Sequence, residues 1–317
     1  MNDSITIQKA LRLLQEDGLL VEYSGPQDLL QKPFTHLSYS SADVQPDTFF
    51  ICKGLNFKEQ YLLDAAAKGA GVYLSAKKYA AEIPCILVSD IRKAMSLVAI
   101  AFYGEAYKNF RLIGLTGTKG KTTTTHMIKS VLEAAGRKVG MIGTNGIYYM
   151  GRHKDTANTT PESYELQKTF REFLDAGCDT ALMEVSSQGL MMDRVAGIHY
   201  DIGVFTNLSP DHIGPGEHKT FEEYRSWKGQ LFKRCTTGAV NIDDENTEAL
   251  LEGHTCKLVT YGRSEQADYR ASGYELLRTH DFLGVAFHVS GRDNMDVRVN
   301  MPGEFSVYNA LAALAVG

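Results

Sequence analysis

The chain has 317 residues, of which 44% are hydrophobic and 22% are charged, and its formal net charge is -5. This balance is typical of a globular protein with sizeable cores. A net negative charge gives no general attraction for nucleic acid. The sequence also contains no run of about 18 apolar residues, the length that a membrane-spanning helix needs. We therefore expect a protein that binds neither nucleic acid nor membrane. We also expect a monomer.

The cysteine pattern indicates reduced thiols. The five cysteines are an odd number, and no two of them have the spacing of metal ligands. Disulfides are rare in the cytoplasm, where thiols are kept reduced. The N-terminal stretch is polar and lacks the apolar core of a signal peptide. These features predict a cytoplasmic protein.

Residues 1–107 predict a small N-terminal α/β domain. Short apolar runs at Thr48–Ile51, Val72–Leu74 and Ile86–Val88 are typical of buried strands. An amphipathic helix is expected over Ile91–Phe102. The polar stretch after that helix is the expected linker to the next domain.

Residues 108–317 predict a second domain in which strands and helices alternate, which favours a doubly wound, mostly parallel sheet. Strands are expected at Leu112–Leu115, Lys138–Ile142, Thr180–Val185, Ile202–Phe205, Gly238–Ile242 and Leu258–Tyr261. The alternating pattern of Tyr269–Asn300, with turn signals inside it, predicts a small antiparallel addition. Ser306–Val316 is typical of a helix still in progress. We therefore expect this domain to be incomplete and a third, C-terminal domain to be absent.

A phosphate-binding loop is predicted where the first strand of this domain meets a helix, at Gly114–Thr123. Glycines let backbone N–H groups approach phosphate oxygens, and a helix N-terminus attracts negative charge. Lys121 adds a positive charge, and Thr122 can ligate Mg²⁺. The ATP-binding residues are expected to be Gly117, Thr118, Lys119, Gly120, Lys121, Thr122 and Thr123. Because the usual first glycine is replaced by Leu115, a glycine-rich turn with an incidental lysine is the alternative.

Two further polar clusters follow strands, and the carboxyl ends of parallel strands meet at one edge of a sheet. Glu184 begins one cluster and His212 ends the other. A carboxylate and an imidazole can both serve Mg²⁺ beside a triphosphate. Taken singly, Glu184 could pair with a lysine at the strand end, and His212 could be an ordinary loop or core histidine.

These three segments, Gly117–Thr123, Glu184–Leu190 and Asn207–His212, resemble those of Mur ligases. In that family the glutamate and the histidine hold magnesium, and the Ser-Ser cluster, here with Ser186, touches the muramyl-peptide substrate. The resemblance also implies a carbamylated lysine at Lys228, acting as a further magnesium ligand. From the residues alone, Lys228 would be a solvated helix lysine.

Six more positions gain a role through this resemblance. Asn158, Thr159 and Thr160 precede Pro161 and resemble the Thr-Thr-Pro element that recognises the muramyl substrate. Simple capping of the following helix is the alternative. Arg194 matches an arginine with the same substrate role. Ser41 is a candidate for the uridine site, and a turn serine is its alternative. Asn309 resembles the asparagine that meets adenine.

The sequence departs from the family pattern at several of these places. Lys119 stands where the family more often has asparagine, and Met192 stands where glutamine is common. The element around Ser41 keeps only the serine of the family's Asp-Ser-Arg. The segment Gly214–His218 also differs from the common family segment.

The resemblance implies an ATP-dependent amide ligase that uses Mg²⁺. It would add a free amino acid, as the third residue, to UDP-MurNAc-L-Ala-D-Glu through an acyl phosphate, in peptidoglycan precursor synthesis. The sequence does not decide which amino acid is added. Three alternatives remain open: a folylpolyglutamate synthase-like ligase, a truncated relative that binds substrate without turnover, and a P-loop GTPase. Against the last, the sequence lacks the Asn-Lys-x-Asp element that reads guanine.

Overall fold

The computed structural model describes residues 3–54 and 56–317. Within these residues, two compact units form. The first consists of the segment up to Tyr107 together with Glu162–Glu172 and Met192–Gly197. The second consists of Lys108–Pro161, Phe173–Met191 and Ile198–Gly317. Two short segments from beyond residue 107 thus pack with the first unit, which the sequence pattern did not indicate.

The first unit is built on a five-stranded sheet of order β2-β7-β6-β5-β4. Its elements are β1 Ile5–Thr6, α1 Ile7–Glu16, β2 Leu20–Ser24, β3 Pro33–Phe34, β4 His36–Ser38, β5 Thr48–Ile51, α2 Glu59–Ala67, β6 Ala70–Ser75, β7 Cys85–Val88 and α3 Ile91–Phe102. Strands β4 to β7 pair in parallel, and β2 pairs antiparallel with β7. Short 3-10 turns cover Gln27–Leu29 and Ala106–Asn109, the latter within the expected linker.

The second unit contains an eleven-stranded sheet of order β11-β10-β9-β12-β8-β13-β14-β15-β16-β17-β18. Its strands are β8 Arg111–Thr116, β9 Val139–Gly143, β10 Gly146–Tyr149, β11 Arg152–Lys154, β12 Thr180–Glu184, β13 Tyr200–Phe205, β14 Cys235–Asn241, β15 Lys257–Gly262, β16 Tyr269–Arg278, β17 Leu283–Gly291 and β18 Met295–Val299. The helices are α4 Lys121–Ala134, α5 Ser163–Asp175, α6 Ser187–Met191, α7 Phe221–Gly229, α8 Thr247–Leu250 and α9 Phe305–Leu314, with a 3-10 turn at Gln230–Lys233. Most of helix α5 belongs to the first unit, which includes its residues up to Glu172.

Seven neighbouring strands of this sheet pair in parallel, in the order β9-β12-β8-β13-β14-β15-β16. The strands at both ends of the sheet pair antiparallel. Buried aliphatic residues such as Ile113, Leu182 and Val204 make the central strands the core of the unit. Strand β8 lies between β12 and β13, so the order of connection reverses on its two sides. Ligands bind at such switch points, outside the carboxyl ends of the strands. The predicted α/β fold with a parallel sheet and an antiparallel addition is confirmed.

No helix among the described residues is long and apolar enough to span a bilayer. All five cysteines are buried and free. Burial raises the pKa of Cys52 and Cys235 above that of an ordinary thiol, so these side chains stay protonated. They behave as small apolar groups of the two cores.

Candidate active site

The turn between β8 and α4 is shaped by two glycines. Helix α4 begins after Gly120, whose φ of +78° places it in the left-handed region that favours glycine. A Cβ on Gly120 would lie 2.9 Å from Oδ1 of Asn309, and one on Gly117 would lie 2.0 Å from Oγ1 of Thr206. The loop therefore needs glycine at both positions, and the expected strand–loop–helix context of a phosphate site is present.

Asn207, just after β13, holds this loop at two points. Its side-chain oxygen accepts from the backbone N–H of Lys119, and its amide group donates to the carbonyl of the same residue, both at 2.9 Å. The carbonyl of Asn207 also accepts from the N–H of Thr118 at 2.9 Å. The neighbouring strand end thus fixes the loop through contacts within the protein. Sequence reasoning placed Asn207 in a polar cluster but did not predict this role.

Two lysine side chains meet at one carbonyl of the loop. Lys121 Nζ donates to Gly117 O at 2.9 Å, and Lys228 Nζ donates to the same oxygen at 2.8 Å. Burial lowers the pKa of Lys121, and burial together with the neighbouring charge of Lys121 lowers the pKa of Lys228 well below its ordinary value. The amino groups of two lysines thus converge on the loop, where phosphate oxygens would accept hydrogen bonds from them.

Lys228 is buried despite lying on a helix with charged neighbours. Only 2% of its surface is exposed, so it is not the solvated lysine that helix position alone would suggest. Its Nζ lies 4.6 Å from the ring centroid of Tyr224, and the Tyr224 hydroxyl lies 3.1 Å from Thr118 Oγ1. Carbamylation requires the neutral amine, and the low pKa of Lys228 favours that form. Carbamylation itself remains a prediction.

Glu184 ends β12 with its carboxylate buried beside the start of α4. Thr122 Oγ1 donates to its Oε1 at 2.9 Å, and Thr144 donates through its backbone N–H to Oε1 and through its hydroxyl to Oε2. A carboxylate and a hydroxyl in contact are the hard oxygen donors that Mg²⁺ prefers. Thr122 and Glu184 therefore fit the ion that accompanies ATP.

His212 contacts Glu217 and not Glu184. Its Nδ1 lies 2.9 Å from Oε1 of Glu217, and about half of its side chain is exposed. Among residues 3–54 and 56–317, no hydrogen bond or ion pair joins His212 to Glu184. Those residues also contain no group of three or more His, Cys, Asp or Glu side chains that could hold a metal ion. A magnesium site shared by His212, Glu184 and Lys228 therefore stays a prediction.

The Thr-Thr-Pro element adjoins the ends of β12 and β9. Thr160 is fully buried, and its hydroxyl lies 3.0 Å from Glu184 O and 2.9 Å from the N–H of Ser186. Thr159 Oγ1 lies 3.0 Å from Thr144 Oγ1, which itself contacts Glu184. The carbonyl of Asn158 accepts from Thr156. Helix α5 begins at Ser163, two residues later than expected, and the Thr160 hydroxyl anchors Ser186 at the end of a neighbouring strand.

The first unit brings two other predicted substrate residues into defined environments. Ser41 lines a cavity of about 550 Å³ together with Tyr39, Lys53 and Phe57. Arg194 forms an ion pair through Nε with Glu162 at 2.9 Å. The second oxygen of Glu162 binds Lys53. Sequence reasoning missed Lys53 and the bridging carboxylate of Glu162.

Asn309 on α9 is buried, and its Oδ1 accepts from Thr124 Oγ1 at 3.0 Å. This contact places Asn309 beside the first turn of α4, next to Gly120.

Sequence reasoning also missed His218. It is fully buried, its Nε2 lies 2.9 Å from Ser187 Oγ, and burial lowers its pKa, so it is neutral at physiological pH. Only its place in the segment that departs from the family pattern could have drawn attention to it.

The chain is similar in sequence to known proteins. The family model described as Mur ligase middle domain matches residues 115–317, more than half of the chain. The UDP-N-acetylmuramoyl-L-alanyl-D-glutamate--2,6-diaminopimelate ligase of Bacillus licheniformis is 37% identical, over 97% of this chain and 64% of that protein. The chain thus spans less than two thirds of the length of this relative.

Solved structures show the same fold. One of a UDP-N-acetylmuramoyl-L-alanyl-D-glutamate--2,6-diaminopimelate ligase has a TM-score of 0.84 at 24% identity, covering 99% of this chain and 63% of that one. Folylpolyglutamate synthase of Mycobacterium tuberculosis, complexed with ADP and AMPPCP, has a TM-score of 0.57 at 16% identity, covering 71% of this chain and 58% of that one. The phosphate loop, the clustered strand ends and the match over residues 115–317 lead to one conclusion. This chain belongs to the Mur ligase middle domain family.

Proposed function

We propose that the protein is an ATP-dependent amide ligase that adds the third amino acid to UDP-MurNAc-L-Ala-D-Glu through an acyl phosphate. The observation that carries the proposal is the contact between Thr122 and Glu184 at the start of α4, beside Lys121. This contact brings two oxygen donors suited to Mg²⁺ close to a lysine that can bind phosphate, all at the carboxyl edge of the sheet. The similarity to a 2,6-diaminopimelate ligase supports the substrate and makes 2,6-diaminopimelate the first amine to test.

In the proposed reaction, a carboxylate oxygen of the substrate attacks the γ-phosphorus of ATP, and ADP leaves. The amine nitrogen then attacks the carbonyl carbon, loses a proton, and expels phosphate. Lys121 and the N–H groups of residues 117–122 would hold the phosphates in line, and positioning of this kind supplies much of the catalysis of phosphoryl transfer. Mg²⁺ bound with ATP would neutralise charge on the phosphate oxygens.

Residues outside the phosphate-contacting group would bind the remaining partners. Asn309 would meet the adenine, and Thr118, Lys119 and Thr123 would contribute to the ATP site. Ser186 with Asn158, Thr159 and Thr160 would face the muramyl peptide. Arg194 would pair with a carboxylate or phosphate of the substrate, and the cavity that Ser41 lines would take the uridine end.

We further propose that Lys228 carries a carbamate that joins Glu184 and His212 at magnesium, and that the protein works as a cytoplasmic monomer. The lowered pKa of Lys228 supports the first statement, and the five free thiols support the cytoplasm. Carbon-13 NMR with labelled bicarbonate would detect the carbamate, and light scattering would give the oligomeric state. A free amine at Lys228 in the presence of Mg²⁺ and ATP would contradict the carbamate.

The direct test is mass spectrometry of the UDP product. The full-length protein is incubated with ATP, Mg²⁺, UDP-MurNAc-L-Ala-D-Glu and single amino acids. We expect one amino acid to be added by the wild type and by the surface control Lys168→Ala, and none by Lys121→Ala. Folate-chain extension in a parallel incubation, with no muramyl product, would favour a folylpolyglutamate synthase and overturn the proposal.

A further inference from the structure

A second cavity lies in the second unit, at the opposite end of α4 from the phosphate loop. It has a volume of about 450 Å³ and is formed by the last turns of α4, the start of β9 and the β10–β11 hairpin. Helix α4 has 14 residues, so its two ends are separated by roughly 20 Å at 1.5 Å per residue. The cavity is therefore separate from the phosphate loop, and its size lies within the range of small-molecule sites.

The cavity wall carries an excess of positive charge. Lys129, Arg137, Lys138 and Arg152 line it, against one carboxylate, that of Glu133. Glu133 is already paired with Lys129 at 2.6 Å. Among the residues that the structure describes, no ion pair involves Lys138 or Arg152, and both are exposed. The guanidinium group of Arg152 lies 5.7 Å from the ring centroid of Tyr149. These two side chains offer a cationic pair to an incoming anion.

Basic side chains near a helix C-terminus often donate hydrogen bonds to its unpaired carbonyls, but here backbone N–H groups donate those bonds. Gly136, with φ of +82°, follows α4, and its N–H donates to Glu133 O at 2.9 Å. The N–H of Arg137 donates to Leu132 O at 3.0 Å. These are the backbone bonds of a helix-ending motif. The basic side chains are therefore not required as caps and are available to a ligand.

The hairpin also provides a rigid aromatic surface. The rings of Tyr148 and His153 are stacked, with centroids 4.4 Å apart and an interplanar angle of 25°. Both rings are held by the carbonyl of Asn145, at 2.8 Å from the Tyr148 hydroxyl and 3.2 Å from His153 Nε2. A fixed aromatic pair beside two exposed cations suits a planar ring that carries phosphate.

We propose that this cavity is a second ligand site, for a phosphorylated small molecule of the nucleoside monophosphate class. Lys138 and Arg152 bind the phosphate, and the Tyr148–His153 stack receives the base. The site is independent of the ligase reaction proposed above, because none of these residues belongs to the phosphate loop or to the predicted substrate contacts.

The experiment is calorimetric titration of AMP into the full-length protein, with AMPPCP and UDP present at saturation to fill the two other nucleotide sites. In Lys138→Ser/Arg152→Ser we expect AMP to bind roughly tenfold or more weakly. The matched control is Lys257→Ser/Arg298→Ser, which removes two exposed cations from strands of the same sheet. Its affinity for AMP is expected to equal that of the wild type. Thermal unfolding confirms that all variants are folded.

Tyr148→Leu tests the ligand class, with inorganic pyrophosphate as a second probe. We expect the Tyr148→Leu substitution to weaken AMP binding and to leave pyrophosphate binding unchanged. Three results would overturn the proposal: no AMP binding to the wild type, equal losses in the two double variants, or unchanged AMP affinity in Tyr148→Leu. A missing response to AMPPCP or UDP would instead count against the proposed ligase function.

Discussion

Replacing Thr160 with valine keeps the shape of a buried side chain and removes its hydroxyl. That hydroxyl lies 3.0 Å from Glu184 O, 3.1 Å from Ser186 Oγ and 2.9 Å from the backbone N of Ser186. Because it has a single proton, it can donate one bond and accept the bond from Ser186. Thr160→Val therefore breaks two hydrogen bonds at a fully buried position and leaves a buried N–H and an acceptor without their partner.

An unsatisfied buried polar group costs about 1–3 kcal/mol, so we expect a loss of about 2–4 kcal/mol in the free energy of unfolding. The control, Thr160→Ser, keeps the hydroxyl and loses one methyl group, which costs about 1 kcal/mol. Urea unfolding followed by circular dichroism measures both variants. If Thr160→Val loses no more stability than Thr160→Ser, the assigned role of the hydroxyl is wrong.

Two further predictions concern the phosphate site. Burial lowers the pKa of Lys228 in the folded protein. Between that lowered pKa and about 10.5, the Lys228 side chain binds more protons in the unfolded chain than in the folded one. The free energy of unfolding therefore rises with pH in this range. In buffer free of carbon dioxide, the stability of Lys228→Met should rise less steeply with pH than that of the wild type, and it should be higher at neutral pH. Equal slopes of stability against pH in the two proteins would refute this. Gly143→Ala places a Cβ 2.3 Å from Glu184 Oε1, so it should displace that carboxylate and weaken Mg²⁺-dependent ATP binding, with Gly136→Ala as the control for glycine replacement. Calorimetry with and without Mg²⁺ would show it, and an unchanged Mg²⁺ dependence would contradict the role of Glu184.

The elements that follow from local pattern were predicted well. Strand β5 and helix α3 have the expected bounds, because a buried apolar run and an amphipathic period carry that information within one segment. The phosphate loop was recognisable because its glycines and Lys121 lie close together in sequence. The start of α5 was misplaced by two residues, since Pro161 alone does not decide where a helix begins.

Contacts between distant segments were beyond sequence reasoning. The two-point hold of Asn207 on Lys119 and the pairing of His218 with Ser187 join residues that are far apart in the chain. The Glu162 carboxylate that bridges Lys53 and Arg194 likewise depends on tertiary folding. A single sequence gives no signal for such pairs, because many polar residues could fill each position equally well.

The measurement that tests the central claim most directly is the transfer of oxygen-18 from substrate to phosphate. UDP-MurNAc-L-Ala-D-Glu labelled in its terminal carboxylate is incubated with ATP, Mg²⁺, 2,6-diaminopimelate and the full-length protein, and the phosphate is analysed by mass spectrometry. If the carboxylate attacks the γ-phosphorus and the amine later expels phosphate, one labelled oxygen must leave with each phosphate released. Phosphate that forms together with the tripeptide product but carries no label would contradict an acyl phosphate.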